Sequence, residues 1–228
     1  NTAIGHNALT ANTTADNNTA VGYNSLVANT TGASNTAVGN TSLDANTTGA
    51  NNTAIGQDAL GAATTANDNT AVGVSALKLN ETGTSNVAVG KDALRANLAS
   101  NNTGVGMDAG TAITTGAGNT AVGAIALDAI TTTSNNTAVG HEALTNASGG
   151  SGNTALGKGT MTATVTGSNN TALGYTALAA NTTASNNTAL GHNTLVVNTT
   201  GASNTAVGVE ALDANTTASF NTAVGRGA

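Results

Sequence analysis

The sequence predicts an all-β fold, a parallel β-solenoid (β-roll) in which one repeat of seventeen residues closes one coil. Three observations predict it. The phrase typified by Asn18-Thr19-Ala20-Val21-Gly22 occurs fourteen times, its Asn falling at Asn1, Asn18, Asn35, Asn52, Asn69, Asn86, Asn102, Asn119, Asn136, Asn153, Asn170, Asn187, Asn204 and Asn221. Twelve of the thirteen intervals have the same length, and only the step from Asn86 to Asn102 is shorter, by a single residue. A fixed period of this kind marks a stacked repeat. Pro is absent from all 228 residues, which suits a backbone paired almost everywhere, because Pro deletes a ladder donor.

Composition argues against an ordinary core. Leu, Val, Ile and Phe together supply roughly one residue in six and there is no Trp, below the usual level for a globular domain. Disorder would call for high net charge and Pro, whereas the net charge is −6. With no Cys, disulfides, thiolate nucleophiles and Cys-based metal sites are excluded. Five basic residues in all argue against a nucleic-acid partner. No run approaches the ~20 apolar residues of a membrane span.

Numbering each unit from its Asn, the repeat reads N1-T2-A3-V4-G5-x6-x7-A8-L9-x10-A11-N12-T13-T14-G15-x16-x17. Thirteen full units and part of a fourteenth predict about 13 coils in one solenoid domain, 1–228, and a rod on the order of 60 Å at the spacing of paired strands. Position 4 is always aliphatic, and position 9 is Leu except at Gly110 and Met161. Two aliphatics five residues apart, straddling a Gly, suit two short strands joined by a turn and fit an amphipathic helix poorly. The coil is therefore expected to run strand 2–4, turn 5–7, strand 8–14, turn 15–17.

Position 5 is Gly in every copy: Gly5, Gly22, Gly39, Gly56, Gly73, Gly90, Gly106, Gly123, Gly140, Gly157, Gly174, Gly191, Gly208 and Gly225. Such insistence implies a positive φ or a backbone packed too closely for a Cβ. Thirteen of the sixteen charged residues fall at positions 6, 7 or 10, so position 10 is expected to face solvent. Strand alternation then places 9, 11 and 13 inside and 8, 10, 12 and 14 outside, and in the first strand 2 and 4 inside. Glu81 at position 13 conflicts with deep burial and suggests a corner there. Stacking like on like predicts an amide ladder at position 1, a hydroxyl ladder at position 2 and aliphatic ribs at 4 and 9. Each coil buries too little to stand alone, so stability comes from its neighbours. The thin core also favours side-by-side self-association of several chains into a bundled homo-oligomer or filament.

Two places are expected to be slack: Asn86 to Gly118, with the short unit, Val87, Gly104 and Gly110, and Ser148 to Gly152. Neither end reads as a polar cap, which predicts a window of a longer tract.

Position 6 varies most. With positions 7 and 10 it forms the expected surface-binding stripe, represented by His6, Tyr23, Asn40, Gln57, Lys91, His141, Lys158, Tyr175 and His192. The nearest two histidines are three coils apart, roughly 14 Å, too far to share a metal, and no recurring Ser/His/Asp set appears. No catalytic residues, metal or cofactor are expected, and the reading is not an enzyme. Asn12-Thr13-Thr14 and Asn17-Asn18-Thr19 match glycosylation sequons, but ladders and turns already require Asn and Thr at these places. An outward Asn12/Thr14 face would offer regularly spaced polar groups to an ice lattice.

The phrases Asn52-Thr53-Ala54-Ile55-Gly56 and Asn170-Thr171-Ala172-Leu173-Gly174-Tyr175-Thr176-Ala177-Leu178-Ala179-Ala180-Asn181-Thr182-Thr183 resemble the tandem repeat tract of large bacterial and phage surface-fibre proteins. They are related in look to the head repeats of trimeric autotransporter adhesins. The resemblance implies a left-handed roll, a trimer, and an extracellular place on a cell surface or virion fibre. The expected function is a structural and adhesive fibre segment, a spacer or adhesin head that contacts a host or surface ligand. The alternatives are an ice-binding β-solenoid and a subunit of a laterally associating matrix filament.

Overall fold

The computed structural model describes residues 1–163 and 165–228 and is an all-β parallel solenoid of about 13 coils. The chain forms two compact units, Asn1–Thr115 and Gly116–Ala228. The first holds β1 (Thr2–Ile4), β2 (Thr19–Val21), β3 (Thr36–Val38), β4 (Thr53–Ile55), β5 (Thr70–Val72), β6 (Val87–Val89) and β7 (Thr103–Val105). The second holds β8 (Thr120–Val122), β9 (Thr137–Val139), β10 (Thr154–Leu156), β11 (Thr171–Leu173), β12 (Thr188–Leu190), β13 (Thr205–Val207) and β14 (Thr222–Val224). Within each unit every strand pairs in parallel with its equivalent one repeat on, as in Thr19↔Thr36 and Thr171↔Thr188. The one shortened step, Val87↔Thr103, keeps the same register.

Among the described residues each coil forms one strand, so the expected strand over positions 8–14 is corrected to a chain of turns. The reason lies in the backbone. Position 7 and position 9 both take a positive φ, as in Asn24 (51°) and Leu26 (52°), or Asp58 (55°) and Leu60 (51°). Left-handed residues cannot continue a pleat, and strand alternation fails across them. A left-handed Leu costs about 1–2 kcal/mol, while its complete burial returns about 1.5–3 kcal/mol. The trade holds because Leu26, Leu43, Leu60, Leu77, Leu94, Leu127, Leu144, Leu178 and Leu195 are fully buried.

The same geometry revises the facing of other positions. Position 8, expected outside, is buried together with position 9, as at Ala59 and Ala126. Position 12, also expected outside, is core: Asn29, Asn46, Asn80 and Asn198 have no exposed surface, and neither do Ala63, Ile113 and Ile130. Position 11, expected inside, is half-exposed at Ala28, Ala45 and Ala62. Position 13 is half-buried to exposed, with Glu81 in solvent, which fits the corner.

In the strand, positions 2 and 4 face out and position 3 faces in, the reverse of the expectation. Ala20, Ala37, Ala54 and Ala71 are wholly buried, while Ile55 is 39% exposed. Against the buried Leu of position 9, the strand has room for no more than a methyl at position 3. Even at Gly104, an added Cβ would stand 2.8 Å from Cγ of Leu94. The rib at position 9 is thus internal, the rib at position 4 is external, and the expected inward hydroxyl ladder at position 2 is replaced by an outer threonine column.

Every glycine at position 5 has φ between +128° and +145°, and both reasons for Gly apply. A Cβ on Gly56 would meet the carbonyl oxygen of Gly73 at 2.5 Å, and one on Gly174 would meet that of Gly191 at 2.3 Å. Within each unit these glycines are the column on which successive coils rest.

Asn at position 1 makes the expected amide ladder. Oδ1 of Asn18 accepts the backbone N–H of Asn35 at 2.9 Å, and Oδ1 of Asn35 that of Asn52 at 2.9 Å. Nδ2 of Asn18 donates across its own coil to the Gly32 carbonyl at 2.9 Å, and Nδ2 of Asn29, at position 12, donates to the same oxygen at 2.9 Å. Two buried side-chain amides therefore satisfy one turn carbonyl, a requirement for burying polar groups in so thin a core.

At the short coil, Asn86 Nδ2 reaches the Ala99 carbonyl, and Asn97 Nδ2 reaches the same oxygen. Each of these bonds spans one residue fewer than its equivalent in a regular coil, such as Asn69 to Gly83 and Asn80 to Gly83. The missing residue comes out of the exposed corner between positions 12 and 15. The coil closes in register there rather than going slack. Gly110 is likewise compensated, because Ile113 fills the space of the missing Leu: a Cβ on Gly110 would lie 2.9 Å from Cδ1 of Ile113. At Ser148 to Gly152 the flanking strands also hold register, Thr137↔Thr154 and Thr154↔Thr171.

Candidate functional site

Positions 6, 7 and 10 project from the turn segment because the left-handed residues at 7 and 9 fold the core-facing pair 8–9 inward and leave their flanks outside. The nine predicted stripe residues lie at this surface, exposed or half-exposed: His6, Tyr23, Asn40, Gln57 and Lys91 in the first unit, His141, Lys158, Tyr175 and His192 in the second. Parallel stacking brings like rungs together. His6 and Tyr23 stack with ring centroids 5.4 Å apart, and Tyr175 and His192 do so at 5.6 Å. Lys91 lies 3.4 Å from Asp92, and His141 lies 3.6 Å from Glu142.

The most structured part of the stripe is built by three consecutive coils. Asp44, Gly61 and Lys78 occupy position 10 of successive units, and Gly61, lacking a side chain, opens a notch of about 260 Å³ between them. Asp58, at position 7, accepts hydrogen bonds from the Thr41 hydroxyl and from Lys78 Nζ at 3.0 Å. The Thr41 hydroxyl, then the Lys78 ammonium, hold the Asp58 carboxyl below its ordinary value of 3.8. Burial pushes the Asp44 carboxyl above that value, and the Asp58 charge adds to the shift. The notch therefore sets two carboxylates against one ammonium, with Asp58 paired to Lys78 and Asp44 partly buried beside them. Among the described residues no group of three or more His, Asp or Glu is placed to hold a metal ion.

Sequence reasoning found the stripe but missed the outer face of the strand. Position 4 leaves Ile55 at 39%, Leu156 at 40% and Leu173 at 41% exposed, beside the threonine column at position 2. The 28 sites at positions 2 and 4 carry no charged residue. A serine ladder at position 16 was also missed: the N–H groups of Ser134, Ser151 and Ser168 donate to the hydroxyls of Ser151, Ser168 and Ser185 at 3.3, 3.1 and 3.0 Å.

Among the described residues no helix is long and apolar enough to cross a membrane. Comparison with family models, with curated proteins and with solved structures finds no match.

Proposed function

We propose that the chain is a structural and adhesive fibre segment, a spacer in which the ladders set reach and the stripe at positions 6, 7 and 10 meets a host or surface ligand. The observation that carries this reading is the division of labour within the repeat. In the interior coils positions 1, 3, 8, 9 and 12 are buried and the position-5 glycines stack backbone on backbone, while position 6 changes from His6 to Tyr23, Asn40 and Gln57. Stability that adds coil by coil leaves the outer turn free to vary. An extracellular position on a cell surface or virion fibre, and self-association as a homo-oligomer or filament, belong to this reading.

Electron micrographs of the intact assembly containing the chain test it. The reading expects the segment within an elongated fibre, and a globular particle overturns it. The ice-binding alternative now draws on the outer strand face, where threonine and aliphatic columns repeat at about 4.8 Å, the spacing of paired strands, and not on Asn12, whose position is core. A thermal-hysteresis assay separates the two, since a spacer produces none.

A further inference from the structure

The outer strand face is the least explained surface of the molecule. We infer that positions 2 and 4 of the strands form a homotypic interface, occupied by the same face of a second copy of this chain. The inference deepens the fibre reading by naming the partner of one face.

Three observations carry it. First, the face is apolar where a lone solenoid has no need of it. Core packing is done by Ala at position 3 and Leu at position 9, yet position 4 stays aliphatic on every rung, including Leu156, Leu173 and Leu190. Strand propensity would be met by Thr or Val, and Leu has no such advantage. Eleven of the fourteen rungs are Ile or Val, and the three Leu rungs keep hydrophobicity without β-branching.

Second, the strip is large enough. A fully open aliphatic side chain presents roughly 100 Å², by the transfer energy of its burial. With Ile4, Ile55 and Val89 37–60% exposed and the other four rungs of the first unit half-buried, the seven leave on the order of 300 Å² of aliphatic surface, and the threonine column brings this to about 600 Å², at the upper end of what monomers expose. Two such strips facing each other remove about 1,200 Å², the lower edge of a specific interface.

Third, the face is self-complementary. A surface that meets its own copy sets like charges against like, so it must be neutral or internally balanced. Positions 2 and 4 hold no charge, while 13 of the 16 charged residues lie at positions 6, 7 and 10. A second copy also presents rungs at the identical spacing, so side chains of one can seat between rungs of the other along a whole unit.

The test is native mass measurement on the full chain at micromolar concentration, together with two charge-matched variants. One carries Val38→Lys, Ile55→Lys and Val72→Lys at position 4. The other carries Asn40→Lys, Gln57→Lys and Val74→Lys at position 6 of the same coils. The expected result is an integer multiple of 21.6 kDa for the unaltered chain and the position-6 variant, and a single-chain mass for the position-4 variant. Circular dichroism should be unchanged throughout. If the lysines at position 4 unfold the chain, Val38→Thr, Ile55→Thr and Val72→Thr keep the branched shape and should still lower the assembled fraction at least tenfold. A monomeric unaltered chain overturns the inference, and so does a position-4 variant that keeps its assembled mass. A monomer with thermal hysteresis that the position-4 lysines abolish overturns it in favour of a water lattice. A monomer seen within an elongated fibre would sink this pairing and leave the fibre reading standing.

Discussion

Asn52 and Asn35 are the same residue in the same position of adjacent coils, yet their replacement by Ala should cost different amounts. Asn52 Oδ1 accepts the Asn69 N–H at 3.1 Å, and its Nδ2 donates to the Ala66 carbonyl at 2.7 Å. Position 12 of that coil is Ala63, so no second amide from that position reaches the Ala66 carbonyl. In the coil of Asn35, the Gly49 carbonyl accepts from both Asn35 at 2.8 Å and Asn46 at 3.0 Å. Asn35→Ala therefore orphans one buried group, the Asn52 N–H, while Asn52→Ala orphans two. At about 1–3 kcal/mol for each unsatisfied buried group, Asn35→Ala should cost roughly 1–3 and Asn52→Ala roughly 2–6 kcal/mol. The void left by the lost amide is common to both and cancels in the comparison. Guanidinium unfolding followed by circular dichroism measures the difference, and hydrogen exchange should show lost protection at the Asn69 amide. Equal costs, or a larger cost for Asn35→Ala, would refute the converging-amide account.

Gly73→Ala places a Cβ 2.4 Å from the Gly90 carbonyl oxygen at φ +139°; strained backbone alone costs about 1–3 kcal/mol, so the unfolding midpoint should fall by more than that strain predicts. Gly110→Leu should destabilise by about 1–3 kcal/mol through overpacking, and adding Ile113→Asn should recover part of the loss in a double-mutant cycle. Asp44 has a raised folded value, so its charge opposes folding above that value; Asp44→Asn should stabilise at neutral pH, with the gain vanishing as pH falls below 3.8, the unfolded reference. Asp58 has a lowered value, so Asp58→Asn should destabilise at neutral pH, and that difference should be lost as pH falls through the folded value below 3.8. Denaturation midpoints across pH check both signs.

The repeat, the parallel stack, the glycine column and the position-1 amide ladder were legible in the sequence because each depends on identity at a fixed interval. Facing was not. Alternation was extended through Leu9 and its equivalents as though they lay in a strand, and nothing in a Leu announces a left-handed backbone. Position 12 did carry a signal: Asn there exchanges with Ala63, Ile113 and Ile130, an exchange that suits a core amide better than a solvated one. Position 4 misled because an aliphatic residue was equated with the core, when the strand turns inward only the methyl of its neighbour at position 3. The stripe was legible because charge gathers where solvent is, whatever the backbone does.

The central claim is that one repeat closes one lap, so that equivalent side chains sit one strand spacing apart. The chain has no native Cys, which allows clean paired spin labels at position 6 of the first unit. With one label at Tyr23→Cys and the second at Val74→Cys, Lys91→Cys or Met107→Cys, the separation should rise by about 4.8 Å per lap. Backbone separations of roughly 14, 19 and 24 Å for three, four and five laps are the result the account predicts. Distances that do not grow in equal steps with lap number would contradict it.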